Sequence, residues 1–269
     1  MPRIEGPSMG EGVQAVGLAL RILEYLADQG SVGVTALAQA LGTSKSRIHR
    51  HLRTLMELGY VVQSPESEKY RVGARLVTLG RRVAEHFDMA ALARGIMRDL
   101  RDTLGHSVVL SQVDPEGARV LATVFGSSDI EIGVRSGSLL KAHCTAQGKV
   151  VLAFSDAARQ EAVLRAPMER RTPYTISDPG ALEAEFRRIR AQGWGGSPNE
   201  TLLGTNAIAA PVFGVGGELL GALAIIDSIQ FVPEQPSKRQ VDAVMDAARR
   251  LSAAIGYAGD AVPHPEPVA

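Results

Sequence analysis

Residues 31–72, SVGVTALAQALGTSKSRIHRHLRTLMELGYVVQSPESEKYRV, constrain the fold of this chain more than any other stretch. Thr35 is a residue of the N-cap type before a short helix over 36–41, with Leu37 and Leu41 turned inward. Gly42 ends that helix, and Thr43 or Ser44 caps a second one that runs to about Leu58. Two helices joined by a tight glycine-containing turn have the form of a DNA-reading helix-turn-helix. After Gly59 the period changes to that of extended chain. Residues 60–63 and 69–72 are rich in β-branched and aromatic types, and Ser64-Pro65-Glu66-Ser67-Glu68 supplies turn chemistry between them. This predicts a two-stranded wing.

The second helix has two unlike faces. With Lys45 set at 0° and about 100° per residue, Lys45, Ser46, His49, Arg50 and Arg53 fall between about 0° and 140°. Ile48, Leu52, Leu55 and Met56 occupy the arc from about 280° through 20° and dock on the first helix. The stretch 41–58 holds four basic residues, Arg47 among them, against the single acid Glu57, although the chain as a whole is neutral. Local charge governs contact with a polyanion, and these side chains are donors for phosphates and base edges. A solvated basic face would look the same in isolation; here it sits inside a complete helix-turn-helix. Thr35, Ser44, Lys45, Ser46, Arg47, His49, Arg50 and Arg53 are the expected DNA contacts. On the wing, Lys69 and Arg71 either reach phosphates or are ordinary strand-edge charges.

The runs Ala19-Leu20-Arg21-Ile22-Leu23, Leu37-Ala38-Gln39-Ala40-Leu41-Gly42, Lys45-Ser46-Arg47-Ile48-His49-Arg50 and Leu58-Gly59-Tyr60-Val61 resemble the N-terminal domain of the IclR family of bacterial transcription regulators. The resemblance returns at His143-Cys144-Thr145-Ala146-Gln147-Gly148-Lys149, at Ile176-Ser177-Asp178-Pro179, at Gln192-Gly193-Trp194 and at Ile208-Ala209-Ala210-Pro211-Val212. Together these pieces cover roughly residues 12–257 in the family's order.

A chain of 269 residues allows about two domains. The expected order is a disordered start over 1–11, the winged helix-turn-helix over 12–75, a linker helix over 76–88, a second domain over 89–257 and a disordered tail over 258–269. The first helix, about 13–27, puts Val16, Leu20, Leu23 and Ala27 on one stripe, expected to serve as core and dimer contact. The second domain reads as helix 89–103, strands 106–113, 119–125 and near 130–134, helices 142–154, 155–165 and 179–192, a hairpin of strands 205–213 and 218–226, and a last helix 236–256. An antiparallel sheet flanked by helices is an α+β domain, and the resemblance implies that it is GAF-like and senses a ligand. No apolar run reaches the ~20 residues of a membrane span. No secretory signal is evident, and one cysteine excludes an internal disulfide and suits a reducing cytoplasm.

Enzyme chemistry finds little support. Cys144 beside His143 invites a thiol nucleophile, but helix neighbours point ~100° apart, so His143 is badly placed to activate it. No metal-ligand spacing occurs, no metal or cofactor is expected, and Gly214-Val215-Gly216-Gly217 joins two strands as a turn. The resemblance places the effector pocket on Cys144, Thr145, Ala146, Gln147, Gly148, Asn199, Asn206, Ala207, Ala224 and Ile226. Asp227 is added because it ends that strand. An apolar Ala224-Ile225-Ile226 in place of serines predicts a larger, less polar effector, an aromatic acid or acid derivative, with Asp227 accepting from its N–H or O–H. The expectation is a homodimer or homotetramer that binds operator DNA, represses a catabolic operon and releases it on binding a small molecule. The alternative is a thiol-based redox regulator switched at Cys144.

Overall fold

Three helices and a hairpin form the first unit: α1 (Gln14–Gln29), α2 (Val34–Ala40), α3 (Lys45–Glu57), β1 (Val61–Gln63) and β2 (Tyr70–Val72), followed by α4 (Ala74–Glu85). The computed structural model describes residues 14–85, 88–129 and 131–259. The chain divides into two units between Phe87 and Asp88. The expected disordered ends over 1–11 and beyond 259, and the last residues of the linker helix, lie outside the described residues.

In the first unit Leu18, Ile22 and Leu26 of α1 meet Leu37, Ile48, Leu52, Leu55, Val61 and Tyr70 in one apolar core. Of the two roles expected for the α1 stripe, that of core fails. Val16 is 57% and Leu20 53% exposed, because the helix carries two apolar stripes and the core takes the one through Leu18 and Ile22. Ser44 caps α3 as expected, accepting from the Arg47 N–H at 3.4 Å. Thr35 does not cap α2. That helix begins at Val34, one residue earlier, with Gly33 in the cap position and no side-chain bond. Val32 adds an isolated bridge to Tyr70, which ties the wing to the helices.

The second unit opens with α5 (Met89–Leu104), capped by Asp88. Then come β3 (Ser107–Asp114), β4 (Gly117–Val124), β5 (Leu139–Lys141), α6 (Ala146–Ala153), α7 (Ala157–Arg165), α8 (Pro179–Gln192), β6 (Gly195–Gly196), β7 (Thr205–Phe213), β8 (Leu219–Ser228) and α9 (Lys238–Ile255). The six strands form one antiparallel sheet in the order β5-β4-β3-β8-β7-β6. Alternation sorts their side chains between two cores. Val109, Ala207, Ala209, Ala222 and Ala224 face α6 and α8, whereas Val108, Leu110, Ile208, Leu223 and Ile225 face α5 and α9.

The strand expected near 130–134 is absent among the described residues there. Thr123 instead donates its hydroxyl to the Val134 carbonyl at 2.5 Å, so the segment lies along β4 by a side-chain bond, and the strand that pairs with β4 is β5. Helix α6 starts at Ala146 and not near 142, because Thr145 is its cap.

Candidate DNA-binding and effector sites

Every expected DNA contact is exposed. Thr35, Ser44, Lys45, Ser46, Arg47, His49, Arg50, Arg53, Lys69 and Arg71 all face solvent, while Ile48, Leu52 and Leu55 hold the other side of α3 in the core. A recess between α2 and the start of α3 is lined by Thr35, Gln39, Ser44, Lys45 and Arg47. Among the described residues none of Lys45, Arg47, Arg50 and Arg53 enters an ion pair. Four unpaired cations on the exposed side of a helix repel one another unless a polyanion neutralises them. Ser44 serves twice, since its hydroxyl caps the helix and also meets the Ser46 hydroxyl at 3.1 Å.

The effector residues expected from the resemblance separate into two sets. Ala207, Ala224 and Ile226 lie on the sheet face that packs with α6. At the start of α6 the Thr145 hydroxyl is already committed: it donates to the Lys141 carbonyl at 2.8 Å and accepts from Gly148 N–H at 3.0 Å. Gly148 is required by packing. A β-carbon there would meet the Lys141 carbonyl, the Thr145 hydroxyl and Ala142 Cα. The first helical bond of α6 runs from Lys149 N–H to Thr145, which leaves the N–H groups of Ala146 and Gln147 at the positive end of the helix without a helical acceptor. Gln147 is 4% exposed, yet its amide makes no hydrogen bond among the described residues.

The other set belongs elsewhere. Asp227 and Asn206 face each other across β7 and β8, one residue out of phase with Ile226 and Ala207, so they lie on the α5 and α9 side. Asp227 accepts from His106 Nδ1 at 2.8 Å and from Ser228 N–H at 2.7 Å. The Gln240 amide donates to His106 Nε2 at 3.1 Å and to the Phe231 carbonyl at 2.8 Å, which fixes His106 as the neutral Nδ1–H tautomer. Asn206 accepts from Ser197 N–H and donates to the Pro233 carbonyl. Asn199 also serves the fold. It holds φ of 57°, a conformation asparagine tolerates, and its side chain accepts from Gly204 N–H at 2.7 Å.

One buried charge cluster escaped the sequence reading. Lys149, only 1% exposed, bonds Glu200 and lies 3.5 Å from Glu185. Arg188 grips Glu185 through two bonds of 2.7 and 2.8 Å and stacks on Trp194. Burial pushes the Glu200 carboxyl above its ordinary value against the pull of Lys149. Burial also raises Glu185, but the Arg188 and Lys149 bonds outweigh it and hold that carboxyl below the ordinary value. The second oxygen of Glu200 has no partner. The signal in the sequence was Lys149 itself, the one charge in a helix whose only other polar side chain is Gln147.

Cys144 sits in the turn before α6 and is fully buried, and burial raises its thiol. His143 is held away, its Nε2–H donating to the Glu169 carbonyl at 2.9 Å. A buried thiol without an activating base is neither a nucleophile nor a ready oxidation site. Among the described residues no group of acids, histidines and cysteine could hold a metal.

An exposed basic helix in a winged helix-turn-helix, joined to a separate α+β domain, defines a DNA-binding regulator with a ligand-binding domain. The comparisons agree. The IclR helix-turn-helix domain matches residues 15–65, and the family described as bacterial transcriptional regulator IclR C-terminal matches residues 81–253. The HTH-type transcriptional regulator KdgR of Escherichia coli is 31% identical over 248 residues, covering 92% of this chain and 94% of that protein. The glycerol operon regulatory protein of Streptomyces coelicolor is 31% identical over 251 residues, covering 92% and 98%. A putative IclR transcriptional regulator from Silicibacter superposes with a TM-score of 0.73 at 28% identity, covering 93% and 97%. An IclR homolog from Microbacterium hydrocarbonoxydans, complexed with 4-hydroxybenzoate, shares the fold at a TM-score of 0.58 and 19% identity, covering 90% and 98%. The chain belongs to the IclR family. It is a transcription regulator and not an enzyme.

Proposed function

We propose that this protein represses a catabolic operon and releases it on binding a small monocarboxylic acid, amide or hydrazide that carries a ring. The observation that carries the effector class is the pairing at α6. Gln147 is little exposed as a residue, but its amide makes no hydrogen bond among the described residues and is not sealed from solvent. It and two N–H groups without a helical acceptor stand at the start of α6, the helix that packs on the strand face of Ala207, Ala224 and Ile226. The helix start suits one carboxylate and the stripe suits an apolar ring. The 4-hydroxybenzoate bound to the Microbacterium homolog is a ligand of that kind.

Lys45, His49, Arg50 and Arg53 read the operator in the major groove, and Lys69 and Arg71 follow the backbone from the wing. Val16 and Leu20 on α1 and Val77 and Leu79 on α4 are exposed apolar residues, which supports a dimer through the DNA-binding units. Two recognition helices would then lie ~34 Å apart, one turn of DNA. A second contact between sensing domains makes a tetramer. Binding DNA places the protein in the cytoplasm.

Thermal-shift screening of benzoates, their amides and hydrazides, and small dicarboxylates tests the effector class. A ring-bearing monoacid or its derivative is expected to raise Tm by mass action, to release operator DNA, and to lose both effects in Gln147→Ala. Stabilisation by dicarboxylates alone, indifferent to Gln147, would refute the proposal.

A further inference from the structure

β6 pairs with β7 only as far as Gly195 opposite Ala209. Along the paired part, the carbonyls of Thr205 and Ala207 accept from Asn199 and Ser197, so odd-numbered residues of β7 turn their backbone groups toward this edge. The next odd residues past the end of β6 are Pro211, which has no N–H, and Phe213, whose N–H donates to the Ser252 hydroxyl of α9 at 3.0 Å. The free edge therefore offers no donor to an added strand. What remains beside it is a cavity of about 400 Å³ between β7 and the last turns of α9.

Its chemistry is that of a small-molecule pocket. Phe213 and Tyr257 form an aromatic wall, their ring centroids 5.5 Å apart and tilted 38°, and Met245, Ala248 and Ala253 complete an apolar lining. Among the described residues Arg249 is the one charged residue on that lining. Its nearest acid, Asp246, is 3.6 Å away, beyond good hydrogen-bond distance, and both side chains are more than half exposed. The guanidinium thus keeps donors for a carboxylate. A cavity of this size falls in the range of ligand sites, with convergent apolar groups and a single charge to orient the guest.

We propose that this cavity is a second ligand site, separate from the start of α6, that takes an aryl-substituted monocarboxylate. The ring lies against Phe213, Tyr257 and Met245, and the carboxylate pairs with Arg249. Six residue steps of β7 lead from Ala207 to Phe213, about 20 Å of strand, which keeps the two sites apart.

Calorimetry on the full chain with phenylacetate and its amide tests this. Trp194, the only tryptophan, neighbours Gly193 on the cavity wall and gives a fluorescence readout. The measurements use the Gln147→Ala background, in which the α6 site is disabled, and phenylacetate is expected still to bind there. Arg249→Gln weakens the acid about tenfold, equivalent to ~1.4 kcal/mol, and leaves the amide unchanged. Ala253→Phe, at an exposed helix position, fills the cavity and removes binding of both while Tm holds. The proposal is overturned by the absence of binding at millimolar phenylacetate, by equal binding to all variants, or by loss in Gln147→Ala alone. That last result would assign the ligand to the start of α6 and leave the effector reading intact.

Discussion

Replacing Lys149 by methionine removes the cation that pairs the buried Glu200 carboxylate while keeping about the volume of the side chain. Lys149 is 1% exposed and its partner Glu200 is 5% exposed in the side chain, so solvent screens neither. Breaking such a pair from one side leaves an uncompensated charge and costs about 3–5 kcal/mol. For a unit of this size that lowers Tm by roughly 6–20 °C, at about 2–4 °C per kcal/mol. The cost depends on pH. Burial already raises Glu200 above its ordinary 4.5, and losing Lys149 raises it further. Above 4.5 the native state of the variant then holds a proton that the unfolded chain has released, so stability falls as pH rises through the shifted value. Urea unfolding of native and variant protein at acid and neutral pH measures both effects. Lys149→Met combined with Glu200→Gln is expected to recover most of the loss at neutral pH. A variant as stable as the native protein at neutral pH, or one whose deficit grows as pH falls, would show that the cluster is not the buried ion pair described here.

Asp227→Ala should destabilise the second unit by about 1–3 kcal/mol, because it leaves His106 Nδ1–H buried without an acceptor; effector affinity by calorimetry should not change. Gly148→Ala drives a β-carbon into the Lys141 carbonyl and should cost about 1–3 kcal/mol in urea unfolding, whatever ligand is present. Cys144→Ser should leave effector-controlled DNA binding intact and insensitive to peroxide, since the thiol is fully buried. Regulation lost with the thiol would restore the redox reading.

Much of this architecture was legible because local rules and tertiary packing agree. Asp178-Pro179 starts α8, Gly193 ends it, and the turn at Gly214–Gly217 joins two alternating strands, all within a residue or two of expectation. The failures have physical causes. On α1 two apolar stripes satisfy the same period, and only the packing of α3 against Leu18 and Ile22 chooses between them. Asp227 and Asn206 were assigned to the effector by position in the strand. A shift of one residue changes the sheet face, and that parity places both with His106 and α9. The Lys149 cluster joins residues 51 positions apart, a separation that no helical or strand period reports. The basic face of α3 was readable because its whole logic lies within four turns of one helix.

The most direct test of the account is the salt dependence of DNA binding, measured by fluorescence anisotropy on duplexes that the native protein selects from a random pool. Lys45, exposed at the first position of α3, and Arg50, opposite its buried stripe, make no core contact, so Lys45→Ala and Arg50→Ala should keep the native Tm. Each is expected to weaken binding at ~0.15 M salt. A lost phosphate contact flattens the slope of log K against log salt by about 0.9, and a lost base contact instead relaxes sequence preference by ~1–3 kcal/mol. Native affinity, slope and selectivity in both variants would contradict the assignment of α3 as the helix that reads DNA.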